Sequence, residues 1–317
     1  MQLFLLHLDE ALEAQAEFVR TCLMAGCTEI DLRDPGRDFR LWARQTVVDD
    51  LHRSLRTSLA GPKGEAKLCF LGSGDFHHVS SLLIDLALEK VQQPVTVVHI
   101  DNHPDWVHFS NGLHCGSWVN RVANHPAVDR VITLGVCSDD LASPERKGAN
   151  LGLLASGRLE LYPFQHSPSR VKTNLGEGNS FEQRSGYLHW RTIGDLGFER
   201  FTELLMGRIE TEAVYISLDK DVLCSLDAVT NWDQGRMKLA DVLQLLNEIG
   251  KSHRIIGADV TGDYSRPRYG GGVWTRLMKR GECLIDQPRD TPPDKEIVNV
   301  NSAANYALLD VFGAVMS

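Results

Sequence analysis

The segment that decides the fold of this chain is Val95-Thr-Val-Val-His-Ile-Asp-Asn-His-Pro-Asp-Trp106. Its first six residues have the pattern of a buried parallel strand, which runs directly into Asp101, His103 and Asp105. Side chains two positions apart on an extended chain point the same way, so we expect these three side chains to converge. Ligands of open parallel sheets bind beyond the carboxyl ends of the strands. The segment therefore predicts a binding site at one edge of a parallel sheet.

The same design occurs again in Ala213-Val-Tyr-Ile-Ser-Leu-Asp-Lys-Asp-Val222. This is a second strand that ends in acidic residues, with Asp219 and Asp221 on one face and Lys220 on the other. Carboxylates gathered at one site repel each other strongly unless cations lie between them. Oxygen ligands with one or two imidazoles suit manganese better than zinc, whose sites contain more nitrogen and sulfur. We therefore expect divalent cations, with manganese favoured.

A third element is Leu68-Cys-Phe-Leu-Gly-Ser-Gly-Asp-Phe-His-His-Val79, which has the pattern of a strand, a glycine-rich turn and a histidine pair at the start of a helix. One of His77 and His78 would complete the metal site. Alternatively, either histidine caps the helix or forms a hydrogen bond in the core. An isolated Asp-x-His-x-Asp is often a solvated turn. Three such elements at strand ends in one chain favour a metal site.

The rest of the chain indicates an α/β fold, because short apolar runs alternate with helical patterns. We predict one domain over residues 1–317 with a mostly parallel sheet of about eight strands. Two polar stretches, residues 163–188 and 265–299, are rich in glycine, proline or small polar residues and are predicted to be irregular lids, oligomer contacts or specificity segments. The predicted strands are Leu3–Leu8, Glu29–Leu32, Lys67–Leu71, Val95–Ile100, Arg130–Leu134, Leu159–Tyr162, Ala213–Leu218 and Arg254–Val260.

Composition excludes several classes of protein. The 317 residues carry a net charge of -9, which disfavours binding to nucleic acid. No apolar run approaches the length of a membrane helix, and the first residues do not have the pattern of a signal peptide, so we expect a cytoplasmic protein without membrane contact. The 7 cysteines are scattered and predict neither a disulfide framework nor a zinc ribbon.

Together these motifs resemble the arginase/agmatinase (ureohydrolase) superfamily over roughly residues 67–317. The resemblance lies in their order along the chain and extends to the last helical segment, residues 301–312. A smaller group of divergent, arginase-like proteins that includes peptide arginases is also similar, through the adjacent histidines and the Asp-x-His-x-Asp-Trp pattern. The matching segments are Gly74-Asp-Phe-His77, Asp101-Asn-His-Pro-Asp105, Gly112-Leu-His-Cys-Gly116 and Ser217-Leu-Asp-Lys-Asp221.

The resemblance implies a three-layer α/β/α sandwich with two manganese ions, although other divalent metals would serve. Asp101 and Asp219 would bridge the ions, and His114 would be the proton shuttle. A homo-oligomer is left open. The remaining implied ligands are His77 and Asp105 for the first ion, and His103 and Asp221 for the second.

The activity implied is hydrolysis of a guanidino C–N bond. The family's guanidinium-binding glutamate is absent, and Gly262 stands beside Asp263 instead, so we predict that Asp263 receives the guanidinium. The long irregular segments favour a small-molecule or peptide guanidine, with arginine in a peptide preferred over free arginine. Asp233 is a further candidate, as a support for the metal ligands or a substrate contact. The alternatives are a metal-dependent amide deacetylase on the same fold and a catalytically silent binding protein.

Overall fold

The computed structural model describes residues 1–61, 65–288 and 292–316. The strands are β1 (Gln2–His7), β2 (Thr28–Asp31), β3 (Trp42–Arg44), β4 (Lys67–Gly72), β5 (Val95–Ile100), β6 (Gly112–His114), β7 (Val128–Leu134), β8 (Leu159–Tyr162), β9 (Ser169–Arg170), β10 (Phe181–Arg184), β11 (Tyr187–Trp190), β12 (Ala213–Asp219) and β13 (Arg254–Thr261). The α-helices are α1 (Ala16–Met24), α2 (Arg33–Phe39), α3 (Gln45–Ser58), α4 (Val79–Leu88), α5 (Trp118–Ala123), α6 (Gly152–Ala155), α7 (Ile193–Leu196), α8 (Phe198–Arg208), α9 (Leu239–Ser252), α10 (Val273–Asp286) and α11 (Asp294–Val315).

Eight of these strands form one sheet in the order β2-β1-β4-β13-β12-β5-β7-β8. Every neighbouring pair in the sheet is parallel. They are the eight strands predicted from the sequence, with closely similar bounds. The four central strands are β4, β13, β12 and β5, so the segments that follow them lie side by side although they are far apart in the chain.

The side chains of the central strands alternate between two cores, one on each face of the sheet. In β12, Val214 and Ile216 belong to one core, whereas Ala213 and Tyr215 belong to the other. The first core is completed by α1, α8, α9 and α11, and the second by α3, α4 and α5. This is the three-layer α/β/α arrangement, and the predicted fold class is confirmed. Within the described ranges, no helix combines the length and apolar character that a membrane span requires.

The two stretches predicted to be irregular are more ordered than expected. Residues 163–188 contain β9 and β10, which pair with β11 in a small antiparallel sheet of order β10-β11-β9. Its tight turn has Ser185 and Gly186 with positive φ, which stabilises a hairpin. Residues 265–299 contain α10 and the start of α11, while residues 289–291 of this stretch lie outside the described residues.

Candidate metal centre and active-site cavity

Asp101 follows the end of β5 and is the centre of the polar cluster. Its Oδ2 lies 2.9 Å from Nδ1 of His77 and 2.8 Å from Nε2 of His99, and its Oδ1 lies 3.6 Å from Nδ1 of His103. Asp101 therefore belongs to two sets of potential metal ligands, each with its ligand atoms within 4.8 Å of one another. The first set is His77, His99, Asp101 and Asp105, and the second is Asp101, His103 and Asp221.

The alternation of side chains along a strand does not explain the position of Asp105 in the cluster. The strand ends at Ile100, and Asp105 has a φ of 48°, in the left-handed region that aspartate enters more readily than most residues. Its Oδ2 lies 3.4 Å from Nδ1 of His77 and accepts a hydrogen bond of 2.7 Å from the indole N–H of Trp118. The three side chains thus converge as predicted, but a loop rather than an extended strand brings Asp105 to the site.

Asp219 and Asp221 approach from β12, the strand next to β5. Asp219 is the last residue of the strand, and its Oδ2 lies 3.5 Å from Nδ1 of His77. Asp221 lies in the short 3-10 turn that follows, and its Oδ2 lies 2.9 Å from Nδ1 of His103. The two aspartates are tied together, because the backbone N–H of Asp221 donates to Oδ1 of Asp219 over 2.9 Å.

Two glycines make room for the carboxylate of Asp219. A Cβ at Gly74 would lie 2.7 Å from Oδ2 of Asp219, and one at Gly262 would lie 2.3 Å from its Oδ1. Gly262 also has a φ of 96°, which other residues rarely adopt. A side chain at position 262 would therefore collide with Asp219, and this chain cannot carry there the glutamate of the family that it resembles.

The side chains of the adjacent residues His77 and His78 lie in different environments. The imidazole of His78 stacks on the ring of Phe39 with 4.4 Å between centroids, and its Nε2 bonds to the carbonyl of Phe39. Burial holds the pKa of His78 well below its usual value. His77 is the member of the pair whose imidazole enters the cluster of aspartates. The structure thus favours His77 over His78 as a metal ligand.

A buried hydrogen-bonded chain holds the far side of the His77 ring. Nε2 of His77 lies 2.9 Å from the hydroxyl of Ser217, and this hydroxyl donates to Oδ1 of Asp259 over 2.9 Å. Asp259 also accepts hydrogen bonds from Ser80 and Tyr215. Because both ring nitrogens of His77 have fixed partners, Nδ1 is directed at the aspartates.

The electrostatics of the cluster reflect an excess of buried negative charge. Burial and repulsion from Asp101 raise the pKa of Asp219 to about 6, and the same two causes raise the pKa values of Asp105 and Asp221 well above the usual range. Burial alone would lower the pKa of His77, but its hydrogen bond to Asp101 and the nearby aspartates raise that pKa to about 10. Protons on these groups therefore compensate part of the negative charge.

The donor set fits divalent cations. In the part of the chain that the structure describes, the ion-pair partners of the four aspartates are histidines rather than lysines or arginines. Buried carboxylates without a permanent positive partner are costly, and a bound cation removes that cost. Carboxylate oxygens with a minority of imidazole nitrogens are donors that manganese accepts. His99 joins this donor set, although the sequence analysis did not select it.

His114 lies at the same cavity as the aspartate cluster, on a short two-stranded ribbon formed by β3 and β6. Its Nδ1 accepts a hydrogen bond of 2.8 Å from the backbone N–H of Gly116, so the proton of the neutral ring is on Nε2. Nε2 lies 2.7 Å from Oε1 of Glu282 on α10, and the indole N–H of Trp42 donates to Oε2 of the same carboxylate. The sequence analysis missed Glu282.

Asp263 does not line this cavity. Its carboxylate forms a buried ion pair with Lys220 and accepts a hydrogen bond of 3.2 Å from the side-chain amide of Asn305. Both charged side chains are almost completely buried. The predicted contact between Asp263 and a substrate guanidinium therefore disagrees with the structure, because the carboxylate already neutralises a lysine behind the site.

The cavity has a volume of about 790 Å³, and its wall is acidic. Besides the aspartates of the cluster, it is lined by Asp139, Asp140, Glu282 and Asp286. Lys147 also lines it and pairs with Asp140 over 3.1 Å. No arginine is among its described lining residues. This charge distribution favours a positively charged substrate.

Asp233 and Trp232 enter the cavity from the loop after β12. Oδ1 of Asp233 lies 2.8 Å from Nε2 of His103, and Oδ2 accepts from the amide of Asn102, so Asp233 orients a candidate metal ligand. The indole N–H of Trp232 donates to Asp75. Trp106 and Trp118 are fully buried in the core.

The fold is an arginase-like α/β/α fold. The chain is similar to arginase from Bacillus cereus, with a TM-score of 0.58 and 12% identity over 97% of this chain and 98% of that one. It is similar to proclavaminate amidino hydrolase from Streptomyces clavuligerus, with a TM-score of 0.55 and 15% identity over 96% and 92% of the two chains. Formimidoylglutamase from Bacillus subtilis gives a TM-score of 0.56 at 11% identity, over 97% and 86%. The fold is therefore that of the ureohydrolase superfamily, as the sequence motifs predicted.

Comparison of the amino-acid sequence alone does not establish a family for the chain. No protein-family model matches the chain. An uncharacterized protein of Thermotoga maritima is 25% identical over 194 residues, which are 61% of this chain and 57% of that protein. The match thus spans little more than half of the curated relative.

Proposed function

We propose that this protein is a binuclear metal-dependent hydrolase that cleaves a C–N bond of a guanidino group. The observation that carries the proposal is the carboxylate of Asp101, which is shared by two sets of potential metal ligands at one acidic cavity. The names of the similar structures, arginase and amidino hydrolase among them, indicate the same class of bond. The cytoplasmic location stays an expectation from the sequence.

The two metal ions would be manganese, held by residues that already face one another. Asp101 and Asp219 would contact both ions, and the other ligands would divide between them as the resemblance implies. Two cations bound at one site bring the pKa of a shared water close to neutrality. His99 is an added candidate ligand from the structure. The division is His77 and Asp105 at the first ion, and His103 and Asp221 at the second.

His114 is proposed to move the proton that the leaving amine needs. Its neutral ring carries that proton on Nε2, the atom that contacts Glu282, and both residues line the cavity. A positive imidazolium at this position would be stabilised by the Glu282 carboxylate 2.7 Å away. Asp263 has no part in this scheme, and the negative charge for a guanidinium comes from the cavity wall instead.

The substrate class follows from the charges around the cavity. Free arginine carries a carboxylate as well as a guanidinium, and Lys147, the lysine of the wall, is already paired with Asp140. A guanidine in a peptide, or one without a free carboxylate, avoids this mismatch. We therefore propose arginine in a peptide, converted to ornithine with release of urea, as the preferred substrate over free arginine.

The test is a urea-release assay on manganese-loaded protein with arginine, agmatine, guanidinobutyrate and an arginine-containing peptide. We expect release from the peptide and from agmatine, weaker release from arginine, and none after Asp101→Asn. A silent binding protein would release no urea from any of them. A deacetylase would instead release acetate from an acetylated amine, and its activity would not need the second set of ligands.

A further inference from the structure

Helix α10 is oriented with its apolar face outward. Its one buried residue is a lysine, Lys279, which has no exposed surface and donates to the carbonyl of Asp38 over 2.7 Å. Two rows of large apolar side chains face the solvent instead, with Trp274 80% exposed and Ile285 82% exposed. The rows are spaced at intervals that place them on one side of a helix. We call this surface the α10 stripe, formed by Val273, Trp274, Leu277, Met278, Leu284 and Ile285.

The α10 stripe is continuous with the active-site cavity. Ile285 belongs to the stripe and also lines the cavity. Glu282, three residues before Ile285 on the same helix, contacts His114. Exposed apolar patches of this kind, next to polar groups, mark interaction sites. The cavity wall and the apolar surface therefore share Ile285.

We propose that the α10 stripe binds the peptide chain that carries the target arginine, and that it selects apolar residues next to that arginine. The inference rests on the proposed function, because the cavity must first accept a guanidinium. The acidic wall attracts the arginine, while the stripe binds its apolar neighbours. A 14-residue helix extends about 20 Å, which is the span of about six residues of an extended peptide.

A peptide fits the position of the stripe better than a second copy of the chain does. Two copies paired through the stripe would bury Ile285, so that each protomer would cover part of the cavity wall of the other. A peptide with its arginine in the cavity leaves the entrance to the substrate itself. It also combines the positive charge and the apolar surface that the two parts of the site require.

The experiment compares an acetylated, amidated Leu-Leu-Arg-Leu-Leu peptide with Gly-Gly-Arg-Gly-Gly and with agmatine. The variant is Trp274→Ser with Met278→Ser, and the control is Met24→Ser, which removes an exposed methionine from α1. For the wild type we expect kcat/KM to be at least about tenfold higher for the leucine peptide, from the burial of apolar side chains. The double variant should lose this preference and keep its agmatine turnover, and the control should change neither.

The outcomes separate the inference from the proposed function. Agmatine hydrolysis with no preference between the peptides, or a preference that the double variant keeps, would overturn the role of the stripe and leave the proposed function intact. No urea from any guanidine would overturn both. A wild-type dimer on size-exclusion chromatography that the double variant converts to a monomer would assign the stripe to contacts between copies. Binding to anionic lipid vesicles that the double variant abolishes would assign it to a membrane surface.

Discussion

Glu282 accepts a hydrogen bond of 2.7 Å from Nε2 of His114, although 168 positions separate the two residues in the chain. The imidazole is fixed on its other side by the backbone N–H of Gly116, and the carboxylate is fixed by the indole of Trp42. A histidine oriented by a carboxylate is the usual arrangement for moving a proton. Helix α10 therefore supplies a positioning residue for the proposed proton shuttle.

Replacing Glu282 should affect turnover more than substrate affinity. Glu282→Gln keeps an acceptor for His114 but removes the negative charge, and we expect kcat to fall by about 10- to 100-fold with the metal content unchanged. Steady-state kinetics at saturating manganese will measure this. Glu296→Gln, at an exposed position on α11, is the control. Equal kcat values for Glu282→Gln and the wild type would remove Glu282 from the mechanism.

Ser217 should support metal binding through His77. Ser217→Ala removes the hydroxyl that connects Nε2 of His77 to Asp259, so the ring loses its fixed orientation. We expect manganese affinity to fall by about 10- to 100-fold, the usual effect of losing a group that orients a ligand. Calorimetric titration of manganese into the metal-free protein will measure this affinity. Restoration of the affinity by Ser217→Thr would support an effect of the hydroxyl, whereas unchanged affinity in Ser217→Ala would exclude it.

Asp219→Asn should change the stability of the metal-free protein in a pH-dependent way. The pKa of Asp219 is raised from 3.8 to about 6, so its ionisation in the folded state costs stability as the pH rises through 6. Asparagine resembles the neutral acid. Without metal, the Asp219→Asn variant should therefore be more stable than the metal-free wild type by about 3 kcal/mol at pH 8. The difference should vanish below pH 4.

Urea denaturation of both proteins in chelator between pH 3.5 and 8 will follow that difference. Asp34→Asn, at an exposed position, serves as the control. Manganese should reverse the order, because the variant lacks a charged ligand. A variant that is less stable than the wild type in chelator at pH 8 would contradict the account of repelling carboxylates.

Asp263→Asn should act on stability rather than on turnover. It would leave the ammonium of Lys220 buried without its ion-pair partner, which typically costs about 3–5 kcal/mol. We expect a large fall in the free energy of unfolding, and partial recovery when Lys220→Met is added. Asp310→Asn, on the exposed side of α11, is the control. A stable Asp263→Asn protein with strongly reduced kcat would restore the substrate role that the sequence suggested.

The sequence predicted the sheet and most of the metal cluster because both depend on local patterns. Asp101 follows the last residue of one parallel strand and Asp219 ends another, so their carboxylates lie at one sheet edge whatever the strand order is. His99 carried a readable signal that was missed, since it lies two residues before Asp101 on the same face of β5. The backbone of Asp105 could not be foreseen, because its left-handed conformation depends on tertiary contacts.

Helix α10 was missed because its flanking residues were interpreted as a loop. The glycines up to Gly272 precede the helix, and Pro288 follows its last residue by two positions, where proline is common. The apolar period within it was visible, but its outward orientation was not, because only the fold shows which side of a helix faces the protein. For the same reason, nothing local could reveal that Lys220 neutralises Asp263.

The measurement that tests the central claim most directly is the number of metal ions per chain, determined by elemental mass spectrometry. The protein should be purified without chelator and dialysed against manganese. We predict two ions per chain for the wild type and fewer than one for Asp101→Ala, because Asp101 is shared by both ligand sets. A wild type that binds no metal, or an Asp101→Ala variant that keeps two ions, would contradict the binuclear site.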